Sequence, residues 1–191
     1  MDDLDDVTRR AWKADDRRDN RTVVSLATQL IQAGGDRAVA GYMLRAAAYE
    51  WGVEDGVQDL ALAVQDYRQL TILAPHSISY SNLARALLKQ GHDSYPSALK
   101  ALREGERLGN TPEVSLGFAW YLSRGPEPDP ALAKHHYLRA ATHGRFAGFF
   151  GYSRMARQLG QPGRALAMDA VRLLLGPFIW LLFGAKARYP G

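Results

Sequence analysis

The sequence predicts an all-α fold: about five antiparallel helix hairpins stacked into a superhelix, followed by an apolar C-terminal segment. Three observations predict it. Gly52, Gly91, Gly125 and Gly160 fall at steps of 39, 34 and 35 residues, a near-constant period of the kind that marks stacked supersecondary units. The second segment of each unit carries a small–large rhythm at spacings of four and three: Ala63, Tyr67, Leu70; Ala98, Leu102, Gly105; Ala133, Tyr137, Ala140; and more weakly Ala167, Val171, Leu174. Those spacings put three residues on one helix face, where small side chains let a neighbour approach and the large one fills the gap. No alternating run bounded by hairpin turns competes as a strand.

The elements follow in order. A first pair covers about 3–18 and 21–33 and closes at Gly34-Gly35, with Asp36 as the expected N-cap of the next helix. That helix, about 37–51, pairs with 56–73, which Pro75 stops because proline cannot continue a helix. The third pair is about 77–90 and 95–108, ending at Gly109-Asn110; the fourth is about 112–124 and 130–143, turning through Gly125-Pro126-Glu127-Pro128. The fifth is about 145–159 and 162–175. Prolines near several helix starts fit, since a missing amide hydrogen costs little in the first turn. Residues 1–175 therefore read as the helical-repeat body and 173–191 as a docking tail.

The chain of 191 residues is long enough to bury a sizeable core, and its 47% apolar and 23% charged composition is that of a globular protein. It contains no cysteine, which removes disulfides, thiolate metal sites and cysteine nucleophiles. The acidic start, Met1-Asp2-Asp3-Leu4-Asp5-Asp6, lacks the basic-then-apolar pattern of a secretory signal, so a cytoplasmic location is expected. Charge is uneven: residues 1–130 carry 15 Lys/Arg against 19 Asp/Glu, whereas 131–191 carry nine basic residues against Asp169 alone. A basic end of this kind suits an anionic surface.

The repeated residues also carry a resemblance. Gly91, Tyr95, Ala98 and Leu102, with Ala63, Tyr67 and Pro75, resemble the tetratricopeptide repeat pattern. The run from Ala133 through Tyr137, Ala140 and Ala141 to Gly144, followed by Ala147-Gly148 and Gly160, is similar to the related Sel-like repeat. The resemblance spans roughly 36–175; Asn110 stands where a proline is usual, and insertions lie around 53–57 and 92–94. It implies a right-handed superhelical scaffold that binds proteins and has no catalysis of its own. Groove contacts are then expected from first helices of the pairs, with Asn82, Arg85 and Lys89 as candidates because they share one polar face.

From Leu173 to Ala185 thirteen residues pass without a charge. As a straight helix they span roughly 20 Å, short of the ~30 Å hydrocarbon core, and Gly176-Pro177 is expected to break them. Interfacial or re-entrant membrane contact is therefore expected from Leu174, Phe178, Ile179, Trp180, Leu182 and Phe183, with Arg172, Lys186 and Arg188 at headgroup depth. Insertion into an integral membrane protein or another subunit, and simple capping of the array, are the alternatives. The reading places the chain peripherally on the inner face of a membrane.

No catalytic, cofactor or metal site is expected. His135, His136 and His143 have no carboxylate at ligand spacing; Gly34-Gly35 lacks the phosphate-loop continuation; and no nucleophile elbow occurs. Arg145, Arg154 and Arg157, interleaved with Phe146, Phe149, Phe150 and Tyr152, suggest a nucleic-acid surface only superficially, because such aromatics fall where the helix must pack.

Overall fold

A computed structural model describes residues 3–183, and side chains from 4 to 174. Ten α-helices and no strand occur among the described residues. They are α1 (Asp3–Asp16), α2 (Asn20–Ala33), α3 (Gly35–Trp51), α4 (Leu60–Leu73), α5 (Ser77–Gln90), α6 (Tyr95–Leu108), α7 (Pro112–Arg124), α8 (Pro130–Thr142), α9 (Phe146–Gln158) and α10 (Pro162–Phe183). Each helix packs on its neighbours in sequence, and the odd-numbered helices α1, α3, α5, α7 and α9 also meet in part across pairs. The periodicity therefore located all five hairpins.

Two helix starts differ from expectation. Asp36 does not cap α3: the helix opens at Gly35 behind Gly34, whose φ of 75° suits glycine, and Asp36 sits in the first turn. α4 starts at Leu60 because Asp59 accepts hydrogen bonds from the amides of Ala61 and Leu62, and Gly56 holds a left-handed φ of 66° in the preceding loop. That loop is the insertion noted around 53–57. It reaches back to the first pair, where Asp55 accepts from the backbone and side-chain amides of Asn20 at 2.7 and 2.9 Å. The second insertion becomes a short 3-10 turn over His92–Ser94.

The small–large rhythm is the stacking surface. Tyr67, Leu102 and Tyr137 are buried, each beside a buried alanine one turn earlier, Ala63, Ala98 and Ala133. The next helix approaches closely over the large residue. A methyl group on Gly117 would overlap Leu102, and one on Gly151 would overlap the Tyr137 ring. Gly148 lies so close to α8 that its Cβ would fall 2.5 Å from the Ala141 nitrogen. Core clusters run along these seams: Val7, Leu26 and Leu44 near one end, Val64, Leu83 and Leu102 in the middle, Ala119, Tyr137 and Met155 near the other.

In α10 the rhythm faces outward. Ala165 is buried, but Val171 and Leu174 are exposed, with no described residue packed over them as α7 packs over Leu102. The expected break at Gly176-Pro177 does not occur: α10 runs on to Phe183. A proline removes one backbone hydrogen bond, and the strong helix formers Leu173-Leu174-Leu175 and Leu181-Leu182 carry the helix across it. The boundary drawn at 173–175 thus falls inside one continuous helix. No described helix is long and apolar enough to cross a membrane.

Packing of this closeness predicts opposite effects for two glycines. Gly151→Ala should destabilise the chain by about 1–3 kcal/mol through overpacking, whereas Gly163→Ala, in open space on α10, should stabilise by up to about 1 kcal/mol. Urea unfolding of both variants, followed by circular dichroism, checks the pair.

Candidate functional site

Five odd-numbered helices line one continuous groove of about 1170 Å³. Trp12 comes from α1; Met43, Leu44 and Trp51 from α3; Ile78, Asn82 and Arg85 from α5; Leu116, Gly117, Trp120 and Arg124 from α7; Phe146, Phe150, Gly151 and Arg154 from α9. The odd-numbered helices supply most of this lining, and Tyr67 of α4 and Tyr137 of α8 reach it from the even-numbered ones. Of the expected groove residues, Asn82 and Arg85 are in the lining. Lys89 is not: it turns to an ion pair beneath.

That ion pair centres on Glu50, which is 0% exposed. Arg85 grips both carboxylate oxygens, Nε to Oε1 at 2.8 Å and Nη2 to Oε2 at 2.9 Å. Tyr67 donates its hydroxyl to Oε2 at 2.9 Å, and the Lys89 ammonium lies 3.0 Å from Oε1. Trp51 forms the cluster's apolar wall, with the Lys89 nitrogen 2.9 Å and the Arg85 guanidinium 5.7 Å from its ring centroid. Three helices, α3, α4 and α5, are joined by one carboxylate.

The electrostatics follow from burial and pairing. Burial alone would raise the Glu50 pKa, but the charges and hydrogen bonds of Arg85 and Lys89 outweigh it and hold the carboxyl below its ordinary range. Burial also pushes the Tyr67 phenol well up, reinforced by the Glu50 charge. For Lys89 burial wins over the attraction of Glu50, and its pKa is lowered. Glu50 was missed by sequence reading. Its signal is there: a lone acid inside the apolar stretch Ala46-Ala47-Ala48-Tyr49-Glu50-Trp51 at a helix end.

A second buried pair joins the first two hairpins. Arg45 of α3 makes a bidentate contact to Asp66 of α4 at 2.8 and 2.9 Å and donates to Thr28 of α2 at 3.1 Å.

Arg145 pairs with Glu113 and Arg157 with Asp169, while Phe149 is buried. Arg172 sets its guanidinium 4.1 Å from the Phe150 ring centroid. Leu174 is 71% exposed. The side chains of Phe178, Ile179, Trp180, Leu182 and Phe183, and all of Lys186 and Arg188, lie outside the described residues. His136 stacks on Phe118 with centroids 5.3 Å apart; burial, then the neighbouring His135, lowers its pKa. His143 contacts the Arg139 carbonyl through Nδ1 at 2.8 Å and ends α8. No group of three or more potential metal ligands occurs among the described residues.

No family model matches this chain, and no curated protein matches it. A solved structure described as the crystal structure of MamA is similar, with a TM-score of 0.61 and 16% identity over 99% of this chain and 99% of that one. At that identity the likeness speaks for the fold alone: a tetratricopeptide-like stack of helix hairpins over the described residues.

The Glu50 cluster generates a pH prediction. The folded carboxyl titrates below its ordinary value of 4.5, so the cluster contributes fully above that pH and its contribution is lost as pH falls through the folded pKa. Glu50→Ala should cost about 3–5 kcal/mol near neutral pH by leaving Arg85 and Lys89 unpaired. The stability gap between wild type and variant should narrow in acid, measured by urea unfolding at a series of pH values.

Proposed function

We propose that this chain is a non-enzymatic scaffold that holds a segment of another protein in its concave groove. The observation that supports this most directly is the lining itself: every odd-numbered helix contributes to one hollow edged by Trp12, Trp51, Trp120 and Phe150. Aromatic anchors of this kind concentrate binding energy. The Glu50 carboxylate is saturated by Tyr67, Arg85 and Lys89, which suits a structural hub and not a general base. The Sel-like variant of the repeat is our reading of the fourth and fifth pairs. Gly144 with its φ of 82° and the close approach of Gly148 to α8 support it.

In the same reading the C-terminal end docks the scaffold on the inner, cytoplasmic face of an anionic membrane. Support comes from Leu173 and Leu174, 70% and 71% exposed, from Leu166 and Val171 beside them, and from the basic surplus after residue 130. One observation favours a second reading, docking into an integral membrane protein or another subunit. Ala167, Val171 and Leu174 repeat the spacing that receives a helix elsewhere in the stack. The nucleic-acid alternative is weakened by the carboxylate partners of Arg145 and Arg157.

Co-sedimentation with vesicles tests the tail. Full-length protein should pellet with phosphatidylserine-containing vesicles and not with phosphatidylcholine alone, and Leu173→Asp with Leu174→Asp should reduce pelleting at least about tenfold. Equal behaviour of both proteins removes the membrane reading. A photo-crosslinking residue at Phe150 should capture a partner that the same residue at exposed Leu132 does not; equal capture from both positions removes the groove.

A further inference from the structure

One contact recurs along the array with a part exchanged. Tyr67 meets Arg85 of the next odd-numbered helix, hydroxyl to Nη2 at 3.4 Å, and Tyr137 meets Arg154 in the same way at 3.1 Å. In the first instance Glu50, seventeen residues before its tyrosine, neutralises the arginine. Seventeen residues before Tyr137 stands Trp120. The second arginine therefore inherits the tyrosine but not the carboxylate. Among the described residues Arg154 has no acidic partner, and it is exposed in the groove lining.

Trp120 carries a second cation. The Arg124 guanidinium lies 5.1 Å from its ring centroid, also exposed, also in the lining, and also without an acidic partner among the described residues. An arginine resting against an aromatic ring is oriented while the edge of its planar fork stays available for bidentate capture of a carboxylate. Arg85 and Arg145, in the same lining, are already held by Glu50 and Glu113, so Arg124 and Arg154 are the pair left to meet a ligand at this end of the groove. Apolar surface lies beside the two open arginines, from Leu116, Phe146 and Phe150, the last 50% exposed.

We propose that the α7–α9 end of the groove selects an acidic segment of a partner protein, whose carboxylate completes at Arg154 the cluster that Glu50 completes internally at Arg85. A second acid meets Arg124, and an aromatic or leucine side chain between them seats on Phe146 and Phe150. The inference rests on the groove being the partner site and adds the chemistry of the partner. A nucleic acid fits less well, because the lining is largely apolar and includes Asp15 and Glu113.

The test is a selection of random dodecapeptides displayed on phage against the full chain, followed by fluorescence anisotropy with the selected peptides. The expected consensus holds two or more Asp/Glu around an aromatic or leucine. Affinity should fall at least about tenfold in the double variant Arg124→Gln with Arg154→Gln, and stay within about twofold in Arg68→Gln with Arg103→Gln, exposed arginines outside the groove lining. Equal thermal melts keep the comparison about binding. A neutral or basic consensus whose binding is still lost in Phe150→Ala overturns the acidic inference and leaves the groove reading standing. Peptides indifferent to Phe150→Ala and to the arginine pair overturn both. Displacement of the peptide by a twelve-nucleotide single strand at comparable concentration also overturns the proposal and assigns the arginines to phosphate.

Discussion

A fully buried carboxylate is stable only when its neighbours return what water would have supplied, and Glu50 meets that condition with partners from two other helices. The consequence is geometric. Tyr67, Arg85 and Lys89 satisfy Glu50 together only when α4 and α5 stand in one register against α3. Apolar contacts tolerate sliding; a three-sided grip on one carboxylate does not. The Arg45–Asp66–Thr28 contact imposes the same restraint one pair earlier. Two polar seams thus set the angle at which the first three hairpins stack, and with it the groove that the odd-numbered helices line.

Further along the chain the restraint changes character. The seam between α6 and α7 depends on Gly117 over Leu102, and the seam between α8 and α9 on Gly151 over Tyr137. Close approach also occurs early, at Gly41 against α2, but no buried carboxylate accompanies it at the late seams among the described residues, and dispersion between a bare backbone and a large side chain does the holding there. This change frees polar groups. Where the early seams consume their arginines internally, the late seams leave Arg124 and Arg154 in the groove. The surface available to a partner therefore differs between the two halves, although the helices repeat.

The array also ends asymmetrically. α1 turns Val7, Ala11 and Ala14 inward and presents charged residues such as Asp5, Arg9 and Lys13 outside. α10 presents Leu166, Val171, Leu173 and Leu174. A repeat stack needs a polar cap at each end to stand alone in water. The first end has one, and the described part of the second shows the spacing of an interior helix.

Periodicity located the five hairpins but not the starts of α3 and α4 or the end of α10, because glycine corners, prolines in first turns and the 4–3 rhythm are local and act on the chain wherever it goes. Helical spacing likewise decides which residues share a face, which is why Asn82 and Arg85 were read together, and both line the hollow. Lys89 shares that face with them, and only the fold reveals that Glu50 draws it away. The start of α4 needed Asp59 and Gly56 in their turn geometry, and the path of α10 past Gly176-Pro177 needed the balance between one lost hydrogen bond and the helix on either side. Glu50 itself and the exchange of a carboxylate for Trp120 were invisible as chemistry. Each depends on residues 17 to 35 positions apart meeting across a seam, and no local spacing rule records which side chains will meet once the hairpins have stacked.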